Sequence, residues 1–225
     1  MAVIDVAGFV ADLKDHAVDH GFHVHDERHF VETYSLRQAW EVDLHPEDAC
    51  GGPLDLHLAL EIDPSVLLSF EDLVLILEDV PEITFTGDAR LARALDRHAN
   101  RRAWLAKAWD ASLTMIEYVR AVDAGYEGLF AQWCDGDAPP GARTLPVGSS
   151  KALVPSEGEQ VKGNRSMAAE RLLPVPTSVD PSGHKHMWSH IRLGGGGDTP
   201  RMHYLESGPQ VYIGHIGRHL TNTLT

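Results

Sequence analysis

Period-2 alternation sets the tightest limit on how this chain can fold. The segment PLDLHLALEID places Leu54, Leu56, Leu58, Leu60 and Ile62 on one side of an extended chain, and Asp55, His57, Glu61 and Asp63 on the other. A helix would scatter those leucines around its circumference, so the segment is predicted to be a half-buried strand. The preceding HFVETYSLRQAWEVDLHP ends in the same pattern, with Trp40, Val42 and Leu44 opposed to Glu41, Asp43 and His45. With the turn-rich PEDACGG between them, the two segments predict an antiparallel hairpin.

Around it the spacing turns helical. Asp5 is placed to cap a helix over about 6–20, where Val6, Phe9, Val10, Leu13 and Ala17 recur on one face before Gly21. Ser69 with Asp72 reads as a capping box opening a short helix through Leu73, Leu75, Ile76 and Leu77, which Pro81 ends. A short strand over 82–86 follows. Asp88 then caps a long helical region to about Ala124, broken near Asn100, with Leu91, Leu95, Leu105, Trp109, Ile116 and Val119 on its buried face and Gly125 and Gly128 closing it. The expected class is α+β: an N-terminal helix plus an antiparallel sheet covered by helices, with a small C-terminal antiparallel β-meander.

Charge divides the chain. The whole carries a formal −14, but residues 1–140 hold ten Lys and Arg against twenty-seven Asp and Glu, whereas 141–225 hold nine against six. Between the two, Gly136 to Ser166 contains five Gly, four Pro and four Ser without helical or alternating period. This predicts an acidic α+β domain over 1–135, a Gly/Pro/Ser-rich linker over 136–166, and a His/Arg-rich β-module over 167–225. The longest run free of charged residues is Ser207 to Gly217, too short to cross a bilayer, so no membrane partner is expected. The start lacks a cationic signal region, and Cys50 and Cys134 form no CxxC pair, which together predict a cytoplasmic protein without a disulfide framework. An Arg-over-Lys bias of fourteen to five and only three Asn fit GC-rich bacterial coding.

Eleven of the fourteen histidines fall in two groups. In the first, His16 and His20 stand one helical turn apart, and His23 and His25 share one side of a strand. Both spacings suit imidazole metal ligation. Without a signature such as HExxH, a solvated helix edge and strand start is the expected state, and no cofactor is called for.

The second group lies in GHKHMWSHIRLGGGGDTPRMHYLESGPQVYIGHIGRHL. Three extended segments over 186–193, 201–206 and 210–216 are predicted, with His186, Trp188, His190 and Arg192 on one face of the first and Arg201 and His203 on one face of the second. His215 is assigned to the side of Val211 and Ile213. Pairing of the polar faces would gather His190, Arg192, Arg201 and His203 into one cluster. Two guanidiniums can hold a phosphate, and two imidazoles can trade protons near neutral pH. Arg218 adds positive potential, and Gly195 and Gly196 in the four-glycine run could offer backbone N–H groups to an anion, although no GK[ST] follows to make a nucleotide loop.

The expected function is that of a bacterial accessory or binding protein. Its acidic domain docks a protein partner, and its β-module contacts phosphate groups, including those of nucleic acid. One alternative is a metal-independent ribonuclease or phosphodiesterase with His190 and His203 as acid and base. Another is a structural subunit of a homo-oligomer, and the plainest is a solvated His-rich sheet face.

Overall fold

The computed structural model describes residues 6–31, 38–49, 56–62, 68–195 and 199–222. Asp5, Cys50, Leu54, Asp55, Asp63 and Gly196 from the sequence reading lie outside these. The chain forms two compact units, Met1–Leu67 and Leu68–Thr225, and the class is α+β.

The first unit consists of helix α1 (Val6–Asp19) and strands β1 (Phe22–Val31), β2 (Gln38–Pro46) and β3 (Leu56–Ile62), in the antiparallel order β1-β2-β3. The predicted hairpin has the register Trp40↔Leu60, Val42↔Leu58 and Leu44↔Leu56, so the alternating apolar side chains share a face. Val10 of α1 packs with Trp40, Val42, Leu44 and Ile62 to form its core. The sequence reading placed only a strand start at His23 and His25, and the structure extends it to Val31. A register shift between Val24 and Asp26 breaks its alternation, which hides the remainder from a period-2 search.

In the second unit, helix α2 (Phe70–Asp79) opens on the expected capping box. Asp72 N–H donates to Ser69 Oγ at 3.1 Å, and Ser69 N–H donates to Asp72 Oδ2 at 2.7 Å. The carboxylate of Asp96, distant in sequence, accepts a further bond from Phe70 N–H at 2.8 Å. Strand β4 (Ile83–Phe85) follows, then α3 (Ala89–Ala94) capped by Asp88, and α4 (Arg101–Asp123) starting after Asn100, where the break was expected.

The main sheet has the order β4-β10-β9-β8-β5, formed by β5 (Leu153–Val154), β8 (Ser189–Arg192), β9 (Arg201–Glu206) and β10 (Val211–Gly217). Its strands pair antiparallel except β4, which runs parallel to β10. The C-terminal meander therefore exists, but its outer neighbours β4 and β5 come from the supposed acidic domain and the supposed linker. The expected boundaries at 135 and 166 give way to one at 67/68. The composition of 136–166 has another cause: Gly141 and Gly148 take positive φ in tight turns, while Leu145, Leu153, Val154 and Val161 are buried. The expected extended lead-in at 172–181 supplies β6 (Leu172–Pro174), paired with β7 (His184–His186).

The two faces of the sheet differ. On one, Tyr204 meets Phe130 edge-on at 5.7 Å and Glu206 accepts from Tyr118 Oη at 2.8 Å. On the other, Tyr212 joins Val175 and Met187 in an apolar cluster that Leu173 and Leu205 flank. The rest of that second face is basic. Among the described residues no helix is long and apolar enough to cross a membrane.

A buried His/Arg/Glu cluster as candidate functional site

Strand register builds the site. His190 on β8 lies opposite His203 on β9, and Arg192 lies opposite Arg201 one step along, so period 2 puts all four on one face. The imidazole centroids of His190 and His203 are 4.9 Å apart. His215 joins them, 5.8 Å from His203. This corrects the side assigned to His215. A register shift between Ile213 and His215 lets β10 change faces, and at Gly214 a side chain would strike Leu173 Cβ and Met187 Sδ at 2.7 Å.

Two residues that the sequence reading missed complete the group. Arg171, just past helix α5 (Arg165–Glu170), is fully buried and its Nε donates to Glu157 Oε1 at 2.8 Å. Its Nη1 donates to the carbonyls of Met167 and Thr221, each at 3.0 Å. Glu157 follows β5, and its Oε1 is 3.7 Å from His190 Nδ1. Neither residue sits in a periodic segment, so no sequence pattern marks it.

The cluster is buried and rich in donors without a protein acceptor. His203 is 1% exposed, Arg201 2% and His190 4%. Arg201 Nη1 donates to the Thr199 carbonyl at 2.7 Å, and Arg192 Nη2 donates to the Ser149 carbonyl at 2.5 Å. Yet both ring nitrogens of His190, Nη2 of Arg171, and Nε of Arg192 and Arg201 are buried without a hydrogen-bond partner. Leaving a buried polar atom unpaired costs about 1–3 kcal/mol, more where it carries charge, so five such atoms around one spot are unusual for a purely structural core.

Burial sets the protonation states. Loss of water, reinforced by Arg201 and Arg192, pulls His190 down to about 3, and burial drives His203 well below its ordinary value, with His190 adding to the effect. Both rings are thus neutral at physiological pH. Burial, with Arg192 adding to it, also pulls Arg201 down to about 10, which leaves it charged near neutrality. His203 Nδ1 lies 3.1 Å from the Met187 carbonyl, which can only accept, so the proton sits on Nδ1 and the lone pair on Nε2. At its margin the cluster adjoins a cavity of about 420 Å³ lined by His215 and His219 together with Leu95, Glu170, Arg218 and Thr221.

Of the other expected site residues, Arg218 has an exposed side chain, and its carbonyl accepts from His215 Nε2 at 3.0 Å. Gly195 is exposed beyond β8. The tilted rings of His16 and His20 lie 4.1 Å apart, and His23 and His25 approach the half-buried His45 at 5.0 and 5.4 Å, the first four all exposed. They do not close into a three-ligand group. Among the described residues, the grouping with metal-ligand spacing is Glu157, His190 and His203.

No protein-family model, curated protein or solved structure matches the chain.

Proposed function

We propose that the second unit is a binding module for a phosphate-bearing ligand, held by Arg171, Arg192, Arg201 and His190. The observation that carries this reading is the set of buried donor atoms on these four side chains that lack acceptors within the protein. A phosphate offers several acceptor oxygens and two negative charges, and guanidinium donors suit it. Burial further favours a terminal phosphate, since an internal phosphodiester of a polymer would have to thread its backbone into the core. The first unit, with three Lys and Arg against fourteen Asp and Glu over 1–67, is the surface offered to a basic protein partner.

The metal-independent nuclease draws less support. A general acid must hold a proton near the working pH, and both buried imidazoles are held neutral.

The test is calorimetric titration of the intact, chelator-treated protein at about 50 mM salt, where phosphate contacts are strong. Inorganic phosphate and a short oligonucleotide bearing a terminal phosphate should bind, and the same oligonucleotide without that phosphate should not. Arg192→Gln should weaken binding by about 10-fold or more, as expected for losing one charge-assisted bond. Absence of heat with both phosphate ligands would reject the reading.

A further inference from the structure

Glu157, His190 and His203 each bring one ligand atom into a group whose members all lie within 4.8 Å of one another. Glu157 Oε1 and His190 Nδ1 are already 3.7 Å apart. In a tetrahedral site with bonds of about 2.1 Å, ligand atoms stand roughly 3.4 Å apart, so small side-chain rotations would close the set. The three residues come from the segment after β5 and from the facing positions of the paired strands β8 and β9.

The groups around these side chains orient them as ligands. His203 gives its Nδ1 proton to the Met187 carbonyl and so turns the Nε2 lone pair inward, the outer contact that metal-bound histidines commonly make. Glu157 Oε1 is fixed by Arg171 Nε at 2.8 Å. His190 is the most telling of the three: it is 4% exposed, and neither of its nitrogens has a hydrogen-bond partner. A neutral imidazole in that position lacks an acceptor for its proton and a donor for its lone pair, and a bound ion would use the lone pair.

We propose that Glu157, His190 and His203 form a site for a divalent transition-metal ion of the zinc type. Two imidazoles and one carboxylate, without thiolate, suit Zn²⁺ and its first-row neighbours better than Ca²⁺ or Mg²⁺, which prefer all-oxygen shells. Three protein ligands leave a position open. The guanidiniums of Arg192 and Arg201 oppose a bare dication, and hydroxide or another oxyanion in the open position offsets that repulsion. The inference goes beyond the phosphate reading and does not depend on it.

The experiment uses the intact chain stripped with chelator. Zn²⁺ alone is titrated calorimetrically into wild type, Glu157→Gln and His190→Ala, and Co²⁺ is added in parallel to read the visible absorption of a four-coordinate site. Wild type should bind one tight Zn²⁺ and develop a zinc-displaceable Co²⁺ band. Glu157→Gln should weaken the tight site at least about 10–100-fold, the loss typical of even an outer-shell change, and abolish the band. The Gln substitution keeps an oxygen that accepts from Arg171 Nε, so this variant decides the question even if His190→Ala fails to fold. Equal affinity and an unchanged band in wild type and Glu157→Gln would overturn the proposal, because the binding would then belong to exposed histidines of the first unit. Absence of any tight Zn²⁺ site in wild type would overturn it too. Phosphate titrated into the metal-free protein reads the phosphate reading separately, so either can fail while the other stands.

Discussion

Lowering the pH from 7 to 5 should destabilise the second unit, and His190 gives the scale. An unfolded histidine titrates near 6.5, whereas burial and the neighbouring guanidiniums pull His190 to about 3 in the folded protein. The unfolded chain therefore binds the proton more readily, and folding stability rises with pH. The contribution is fully present above about 6.5 and is lost as pH falls from there toward 3. Between pH 7 and pH 5 the linkage integrates to about 2 kcal/mol for this one group. His203, also driven well below its ordinary value by burial, acts with the same sign, and so do the lowered His215 and His219. Two kcal/mol is a sizeable part of a typical domain stability of about 5–15 kcal/mol.

Urea unfolding followed by tryptophan fluorescence reads the effect, because Trp104, Trp109, Trp133 and Trp188 all lie in the second unit and Trp40 alone lies in the first. Metal-free, phosphate-free buffer is required, since any ligand bound only by the folded state would add its own stabilisation. The wild-type midpoint should fall between pH 7 and 5 without a change in slope against urea. In His190→Gln the loss should be smaller by about 2 kcal/mol, because Gln does not titrate. A wild-type stability equal at the two pH values within about 0.5 kcal/mol, or greater at pH 5, would mean that the imidazoles are hydrated or charged in the folded state. The buried cluster would then be wrong, whatever the ligand tests say.

Two further substitutions probe the framework. Arg171→Met should cost about 3–5 kcal/mol by stranding the Glu157 carboxylate, and adding Glu157→Gln should restore part of it, so a double-mutant cycle in urea with no coupling would contradict the buried pair. Asp96→Ala removes the acceptor for Phe70 N–H and, at 3.4 Å, Glu71 N–H, and should lower stability by about 1–3 kcal/mol; a midpoint unchanged from wild type would refute the cap.

How much of this was legible depended on whether a side chain sits in a periodic segment. The faces of β2 and β3, the Ser69–Asp72 cap and the grouping of His190 with Arg192, Arg201 and His203 all follow from spacing, and the register confirms them. Spacing fails where the backbone changes phase. The shift within β10 carries His215 to the face opposite its assigned one, and the shift in β1 breaks the alternation beyond the strand start read at His23 and His25. It also fails for residues held by tertiary position. Glu157 and Arg171 enter the cluster from turns beside β5 and α5, and the Thr221 carbonyl that binds Arg171 lies fifty residues away. Composition misled in the same place. Glycine and proline in 136–166 serve turns that pass an edge strand into the sheet, and turn chemistry is the same whether a segment is tethering or built in.

Net charge is a weak guide to what the cluster binds, and the division of the chain shows why. The first unit holds most of the charge excess, while 68–225 has sixteen Lys and Arg against nineteen Asp and Glu. In water containing salt, the field of surface carboxylates fades within about 10 Å, so it governs the approach of large polyanions more than the energy of one buried contact. Inside the sheet the balance reverses. Arg171, Arg192 and Arg201 outnumber the carboxylates beside them, Glu157 and, 4.0 Å from Arg171 Nη1, Glu170, in a region where poor screening makes each charge count for more. Repulsion outside and unmatched donors inside act on different ligands. On the proposed reading, a long nucleic acid would have to thread its backbone into the core to reach the buried nitrogens, whereas a small oxyanion, or a metal ion carrying one, would not. Under that proposal burial discriminates more sharply than net charge between the candidate ligands, and it favours the small ones.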